Sequence, residues 1–264
     1  MRMTEHQHKG LQHAVVRPPG ASFSEAITEG SAPAGIDVAL AQAQHREYCQ
    51  ALAAAGLTVE RLPADEGYPD SCFMQDPAVV IDGVAVVGRM GAESRRGEEE
   101  AVGRLLAARF ATHRLAAPAT LEGGDVLILP DRVVVGLSGR TNRAGIGQLA
   151  AALHKHGIDR PVYAAPVRDF LHLLTPLTPI GPDTLLVVDE VKVPPELRHL
   201  AVLTVPAEEA YAANVLTIGN RVVMPAGYPR TAALLHAHGC EVLPVPMTEF
   251  AKANGGVTCL ALVW

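Results

Sequence analysis

Val79-Val80-Ile81-Asp82-Gly83-Val84-Ala85-Val86-Val87 places two aliphatic runs on either side of an Asp-Gly pair. Asp-Gly between β-branched runs is a strong short-range hairpin signal, because both residues tolerate the left-handed backbone of a tight turn. The arrangement returns as VLIL-PD-RVVV at 126–135 and LTIG-N-RVVM at 216–224, with a looser version, LTPI-GPD-TLLVV, at 177–188. Each hairpin is followed by a helical pattern and then a short strand. The spacing predicts helices around 95–110, 141–156, 195–200 (short) and 229–238, with strands near 113–116, 161–164, 201–205 and 240–245. Pro229 suits a first helical turn, and Gly157 and Gly239 suit the residue just past a helix end.

Four ββαβ units at a period of about 40–50 residues imply a closed repeat architecture. A fifth unit is split. HAVVRP at 13–18 reads as a strand, Val38–Ala55 as a helix, and LTVERL at 57–62 as a further strand. Its missing hairpin partner is the run GVTCLALVW at 256–264, so the two ends of the chain are expected to pair and close the ring. Residues 1–264 are then one α/β domain. The Gly-, Ala-, Ser- and Pro-rich stretch at 21–37 is as long as a lid or binding loop, with a mobile connector as the plainer alternative.

Composition narrows the function. With 48% apolar and 19% charged residues the chain has material for a sizeable core. Aromatics are 4% and the net charge is −6, which argues against a nucleic-acid binder and suits a small, cationic ligand. The start, MRMTEHQHKG, lacks an apolar signal region. No apolar run has the length needed to span a bilayer. Cys49, Cys72, Cys240 and Cys259 are scattered, as expected of reduced thiols in the cytoplasm. The pairs His6/His8, His154/His156 and His236/His238 read as surface residues, since no acidic or thiol partner stands nearby.

In a ring of such units the residues that open each first strand face the axis. Those places hold Asp70 and Asp76, Glu122 in LEGGDV, His172 in FLHLL, Asn214 in AANVL, and Cys259 after Gly255-Gly256. A thiolate, not a thiol, is the nucleophile, and a neighbouring imidazolium or cationic substrate helps to form it. His172 can then transfer protons, with Glu122 orienting its ring. Taken singly, each has a plain structural explanation: a satisfied core histidine, a bulged strand start, loop-capping aspartates, a small buried thiol. Cys72 is a rival thiol, but Asp70 and Asp76 beside it would suppress its ionisation.

Together, HAVVRPP, YPDSCFMQDPAVV, VGRMGAESRRGE, LEGGDVLIL, LSGRTNRAG, FLHLLTPL, EEAYAANVL, RVVMPAGYPRT and GGVTCLAL resemble, in order and over nearly the whole chain, the dimethylarginine dimethylaminohydrolases. These belong to the guanidine-modifying superfamily with the five-bladed α/β-propeller, or pentein, fold. The resemblance implies hydrolysis of asymmetric dimethylarginine and monomethylarginine to citrulline and an amine, through a covalent S-alkylthiouronium intermediate. It implies Cys259 as nucleophile, His172 as proton carrier, Glu122 as its support and Asp76 as partner of the guanidinium. Arg89 and Arg140 match carboxylate-binding arginines, which read as surface salt bridges without it. Asp70 and the backbones of Ile27 and Ala253 match the positions that hold the α-amino end, which gives the 21–37 loop a closing task. Where the family has Glu, this chain has Gln75, which bears on substrate preference. No metal or organic cofactor is implied, and neither nucleic acid nor membrane is an expected partner; a homodimer is left open. An arginine deiminase acting on unmethylated arginine is the nearest alternative, though that family carries an extra helical domain for which this chain has no room. A non-catalytic, ribosome-binding pentein is the second, disfavoured by the joint presence of Cys259, His172, Glu122 and Asp76.

Overall fold

The computed structural model describes residues 11–28 and 35–264. The His6/His8 pair, the polar start of the chain and residues 29–34 of the expected lid lie outside them. The chain opens with β1 (His13–Val16), α1 (Val38–Ala54) and β2 (Thr58–Arg61). Then come β3 (Ala78–Ile81), β4 (Val84–Val87), α2 (Glu98–Ala107) and β5 (Ala111–Arg114), followed by β6 (Val126–Ile128), β7 (Val133–Leu137), α3 (Arg143–Lys155) and β8 (Val162–Pro166). The fourth unit is β9 (Leu177–Pro179), β10 (Thr184–Val188) and β11 (Ala201–Val205). The fifth is β12 (Leu216–Ile218), β13 (Arg221–Pro225), α4 (Pro229–Ala237) and β14 (Glu241–Val245), and a short α5 (Thr248–Lys252) leads to β15 (Ala261–Val263).

Among the described residues these strands form five three-stranded sheets. In each, a middle strand pairs antiparallel with its hairpin partner and parallel with the strand returning from the crossover. The opening hairpin pairs Ile81 with Val84 across Asp82 (φ 48°) and Gly83 (φ 78°). Those are the two positive φ values that a two-residue turn requires. Middle strands such as β4 and β10 are buried throughout, hence their unbroken Val and Leu. The third strands β2 and β5 are half-exposed, so their sequences are mixed. The split unit closes as expected: β1 pairs antiparallel with β15 (Val15 opposite Leu262) and parallel with β2. Tyr48 and Leu52 of α1, both fully buried, pack with Phe250 and Leu260 and join this unit to the β12–β14 unit.

Two sequence expectations are corrected. Residues 195–200 hold only a 3₁₀ turn at Pro195–Leu197, as the short, Pro-rich β10–β11 connection leaves no length for a regular helix. Cys259 lies in a 3₁₀ turn, Thr258–Leu260, immediately before β15, so the thiol sits on the approach to the closing strand rather than within it. The helix punctuation holds: Pro229 starts α4, and Gly157 and Gly239 have φ of 72° and 89°.

Candidate active site

Each sheet's first strand is preceded by a turn at the ring's axis, and these five turns are hydrogen-bonded to one another in a circle. The Asp76 carbonyl accepts from Gly123 N–H (3.0 Å) and the Gly124 carbonyl accepts from Leu174 N–H (3.0 Å). Asn214 Nδ2 donates to the Leu174 carbonyl (2.8 Å), while Asn214 Oδ1 accepts from Thr258 N–H (2.9 Å). Gln75 N–H donates to the Cys259 carbonyl (3.0 Å) and completes the circle. The approach is too close for side chains at four of the glycines, Gly123, Gly124, Gly255 and Gly256. A Cβ on Gly124 would stand 2.7 Å from His172 Nδ1, and one on Gly256 would stand 2.3 Å from Asn214 Oδ1. The glycines before Cys259 thus serve turn-to-turn packing, and the carbonyls of Gly255 and Val257 are held by the hydroxyls of Tyr211 (2.6 Å) and Tyr48 (2.9 Å).

This circle gathers the titratable groups. His172 Nε2 is 2.8 Å from Glu122 Oε2, and Glu122 Oε1 accepts from Gly91 N–H (3.0 Å). Asp76 Oδ1 accepts from Gly124 N–H (3.3 Å), and Asp125, fully buried behind it, accepts from Leu173 N–H (2.9 Å). Burial works against charge on His172, but Asp76, Glu122 and Asp125 surround the ring and push its pKa up to about 9. Burial likewise opposes ionisation of Glu122, yet the imidazolium, Arg95 and Arg140 hold it down at about 2. At neutral pH the pair is therefore imidazolium and carboxylate. Cys259 is pushed up to about 12 by burial and by Asp76, only partly offset by the Gly256 N–H (3.3 Å from Sγ), Arg95 and the Thr258 hydroxyl. The resting thiol is neutral beside an acid that is already charged.

A cavity opens over these groups, lined by Cys259, His172 and Asp76. Ile27, Asp70, Arg140 and Ala253 line it as well, together with Phe73, Leu171, Asn254 and Gly255. Both Asp70 oxygens lie 3.2 Å from Ile27 N–H, so the loop after β1 is docked on that carboxylate. The loop is further pinned by Phe23, fully buried in a 3₁₀ turn (Ala21–Glu25) against the rings of Phe73 and Phe250. Arg140 reaches Glu122 Oε2 at 3.6 Å.

Two expected positions lie off the cavity wall, and a third is already partnered. Arg89 does not line the cavity: its backbone forms an isolated bridge with Leu121, and the chain then turns at Gly91, where the Arg140 backbone leaves no room for a Cβ. Arg95, one turn of 3₁₀ helix further on, takes the place on the wall. Its guanidinium is buried, bonded to Asp76 Oδ2 (2.8 Å) and held by both oxygens of Glu98 (2.9 and 3.0 Å). In sequence it reads as one more charge in SRRGEEE. Gln75 does not line the cavity either; its Oε1 accepts from the Thr258 hydroxyl (2.9 Å), beside the nucleophile position. Asp76, finally, is already paired with Arg95. Cys72 is fully buried, and its thiol is pushed well above the ordinary range by burial and then by Asp70.

Among the described residues, Asp76, Glu122 and His172 are the one acid–histidine cluster whose atoms lie within 4.8 Å of one another, a spacing a metal could bridge. Each of the four carboxylate oxygens, however, already accepts one bond, from Arg95, Gly91, Gly124 or the His172 ring itself. The cluster is arranged to hold a proton on an imidazole. His154, His156, His236 and His238 are exposed, as expected. No helix among the described residues is long and apolar enough to cross a membrane.

A family model described as arginine deiminase matches residues 64–208. The chain is 38% identical over 256 residues to an N(G),N(G)-dimethylarginine dimethylaminohydrolase of Pseudomonas aeruginosa, covering 96% of this chain and 99% of that one. It is 41% identical to a protein of the same name from Streptomyces coelicolor, covering 94% and 95%. Among solved structures, a cysteine-to-serine variant of the Pseudomonas aeruginosa enzyme complexed with citrulline superposes with a TM-score of 0.92 at 35% identity, covering 97% of this chain and 100% of that one. The N-terminal domain of a cyanobacterial arginine dihydrolase, bound to its substrate, shares the fold at a TM-score of 0.82 and 21% identity, covering 96% and 97%.

Proposed function

The chain belongs to the dimethylarginine dimethylaminohydrolase family of pentein amidinohydrolases, and from that premise we propose that it hydrolyses Nω-methylated arginines to citrulline and dimethylamine or methylamine. The observation that carries the reading is a neutral thiol, Cys259, sharing one cavity with an imidazolium, His172, beyond which Asp70, the Ile27 backbone and Arg140 offer partners for an amino acid. The substrate's own positive charge, set beside Cys259, lowers the thiol pKa, and the proton passes to solvent as the substrate docks. The thiolate attacks the guanidinium carbon. Collapse breaks the bond from that carbon to the methylated nitrogen, and the His172 imidazolium protonates the leaving amine. The S-alkylthiouronium that remains is attacked by water, whose proton the now neutral His172 accepts. The C–S bond then breaks, releasing citrulline and regenerating the thiol.

Glu122 keeps His172 charged for the first half and oriented for the second. Asp76, held by Arg95, stabilises the guanidinium with its remaining lone pairs, and Arg140 meets the carboxylate, for which a planar guanidinium is well shaped. Asp70 and the carbonyls of Ile27 and Ala253 receive the α-ammonium. The working unit in this reading is one pentein domain with the loop after β1 as its lid, in the reducing setting of the cytoplasm that four free thiols suit. A second reading, deimination of unmethylated arginine, is favoured by the arginine deiminase model match. Side-by-side turnover of asymmetric dimethylarginine, monomethylarginine, arginine and agmatine separates them. Methylarginines are expected to dominate; preference for arginine overturns the proposal.

A further inference from the structure

Asp125 does not line the cavity, yet three parts of the site meet on it. One oxygen accepts from the N–H of Leu173, the residue after His172 (2.9 Å). The other accepts from the Ser138 hydroxyl (2.6 Å). Ser138 Oγ accepts in turn from the N–H groups of Arg140 (3.0 Å) and Thr141 (3.1 Å), so it shapes the turn that presents Arg140. Thr141 Oγ1 receives the N–H of Glu122 (3.1 Å), and Asp125 N–H donates to the Glu122 carbonyl (3.0 Å). A fully buried carboxylate is costly unless its oxygens are hydrogen-bonded, and here each of these bonds comes from a segment that bears an active-site group. The space is tailored to it: a Cβ on Gly136 would lie 2.4 Å from Asp125 Oδ1.

We propose that Asp125 is a positioning residue for the reaction, fixing the His172 turn against the Arg140–Thr141 turn and adding a negative charge behind the imidazole. The inference rests on the amidine-hydrolase reading only for its kinetic arm. Asparagine at 125 keeps an acceptor for Leu173 N–H but turns an amide donor toward Ser138. The Ser138 lone pairs already serve Arg140 and Thr141, so its hydroxyl proton loses its acceptor. His172 is faced by Asp76, Glu122 and Asp125, with Arg95 and Arg140 beyond Glu122 and Cys259 across the cavity, so removing one of three negative charges weakens its hold on a proton.

The test is Asp125→Asn, assayed for kcat, KM and the pH dependence of kcat on the methylarginine turned over best, with His172 titrated by NMR in the free protein. The expected result is a kcat loss on the order of tenfold or more, with the His172 titration moved about one unit lower. The NMR arm holds even if no methylarginine is turned over, so failure of the functional reading stays distinguishable from failure of this one. A folded Asp125→Asn protein with wild-type kcat, KM and His172 titration overturns the inference. So does one that is merely less stable while its folded fraction turns over normally. Should Asp125→Asn not fold, Ser138→Ala decides: KM raised about fivefold or more with kcat nearly kept supports the link to Arg140, and unchanged KM refutes it.

Discussion

The two ends of the cavity are built differently. At the inner end, Asp76 and His172 line the cavity, and they stand with Glu122 and Asn214 on turns that hydrogen-bond to each other around the ring. At the outer end, Asp70 receives a single loop amide, Ala253 follows the short α5, and part of the wall belongs to the segment between β1 and α1. In the proposed reaction the reacting groups are thus fixed by the same bonds that close the fold, whereas the amino-acid end of the substrate is met by attachments. Changes at the inner end should strike kcat, and changes at the outer end should strike KM.

The comparison breaks most sharply at the thiols. Cys259→Ser is expected to abolish citrulline formation, while Cys72→Ser, a nearly isosteric change in a buried site, keeps at least a substantial share of turnover; the reverse pattern would sink the nucleophile assignment. Next comes His172→Gln, for which kcat should fall roughly 10²- to 10⁴-fold. In the wild type, kcat/KM should decline as pH rises through about 9, the value to which the surrounding carboxylates push His172 in the free protein, and the variant should lose that limb. At the outer end, Asp70→Asn should raise KM about tenfold with kcat changed far less, in line with loss of a charge-assisted hydrogen bond. An equal fall in kcat would erase the division between the two ends. The smallest effect is on stability. The raised His172 pKa stabilises below its ordinary 6.5 and is lost as pH rises through about 9; the lowered Glu122 pKa stabilises above its ordinary 4.5 and is lost as pH falls through about 2. Their joint contribution should be greatest between 4.5 and 6.5, and a Glu122→Gln variant in urea titrations should lose that maximum.

Much of the ring was legible in the sequence because each unit repeats one turn chemistry. Asp82-Gly83 can do little else between two β-branched runs, and Pro229 and Gly239 bracket a helix by backbone geometry alone. Residues that open a first strand were legible for the same reason, since the repeat places them all at the axis. What escaped depends on direction within a loop. Arg89 and Arg95 lie in one run, on either side of a bend at Gly91 packed on the Arg140 backbone of another unit, and only Arg95 lines the cavity. Asp125 escaped because Gly-Gly-Asp before a strand reads as turn chemistry, while its partners Ser138 and Leu173 come from two other stretches.

The pairing of β1 with β15 has a kinetic side. Gln12 N–H meets the Trp264 carbonyl at 2.8 Å, joining the two extremes of the described sequence. Contacts of such wide separation form late, because chain entropy must be lost before they are made. Refolding should therefore pass through a stage in which the contiguous units are formed and the seam is open, with the Cys259 turn not yet docked. The chain carries its own reporter of that last event. Its sole tryptophan, Trp264, stacks on His13 (5.7 Å) and meets Phe110 edge-on (5.5 Å) at the seam itself. In stopped-flow refolding, tryptophan emission and the return of catalysis should share one slow phase, after most of the circular dichroism has already recovered.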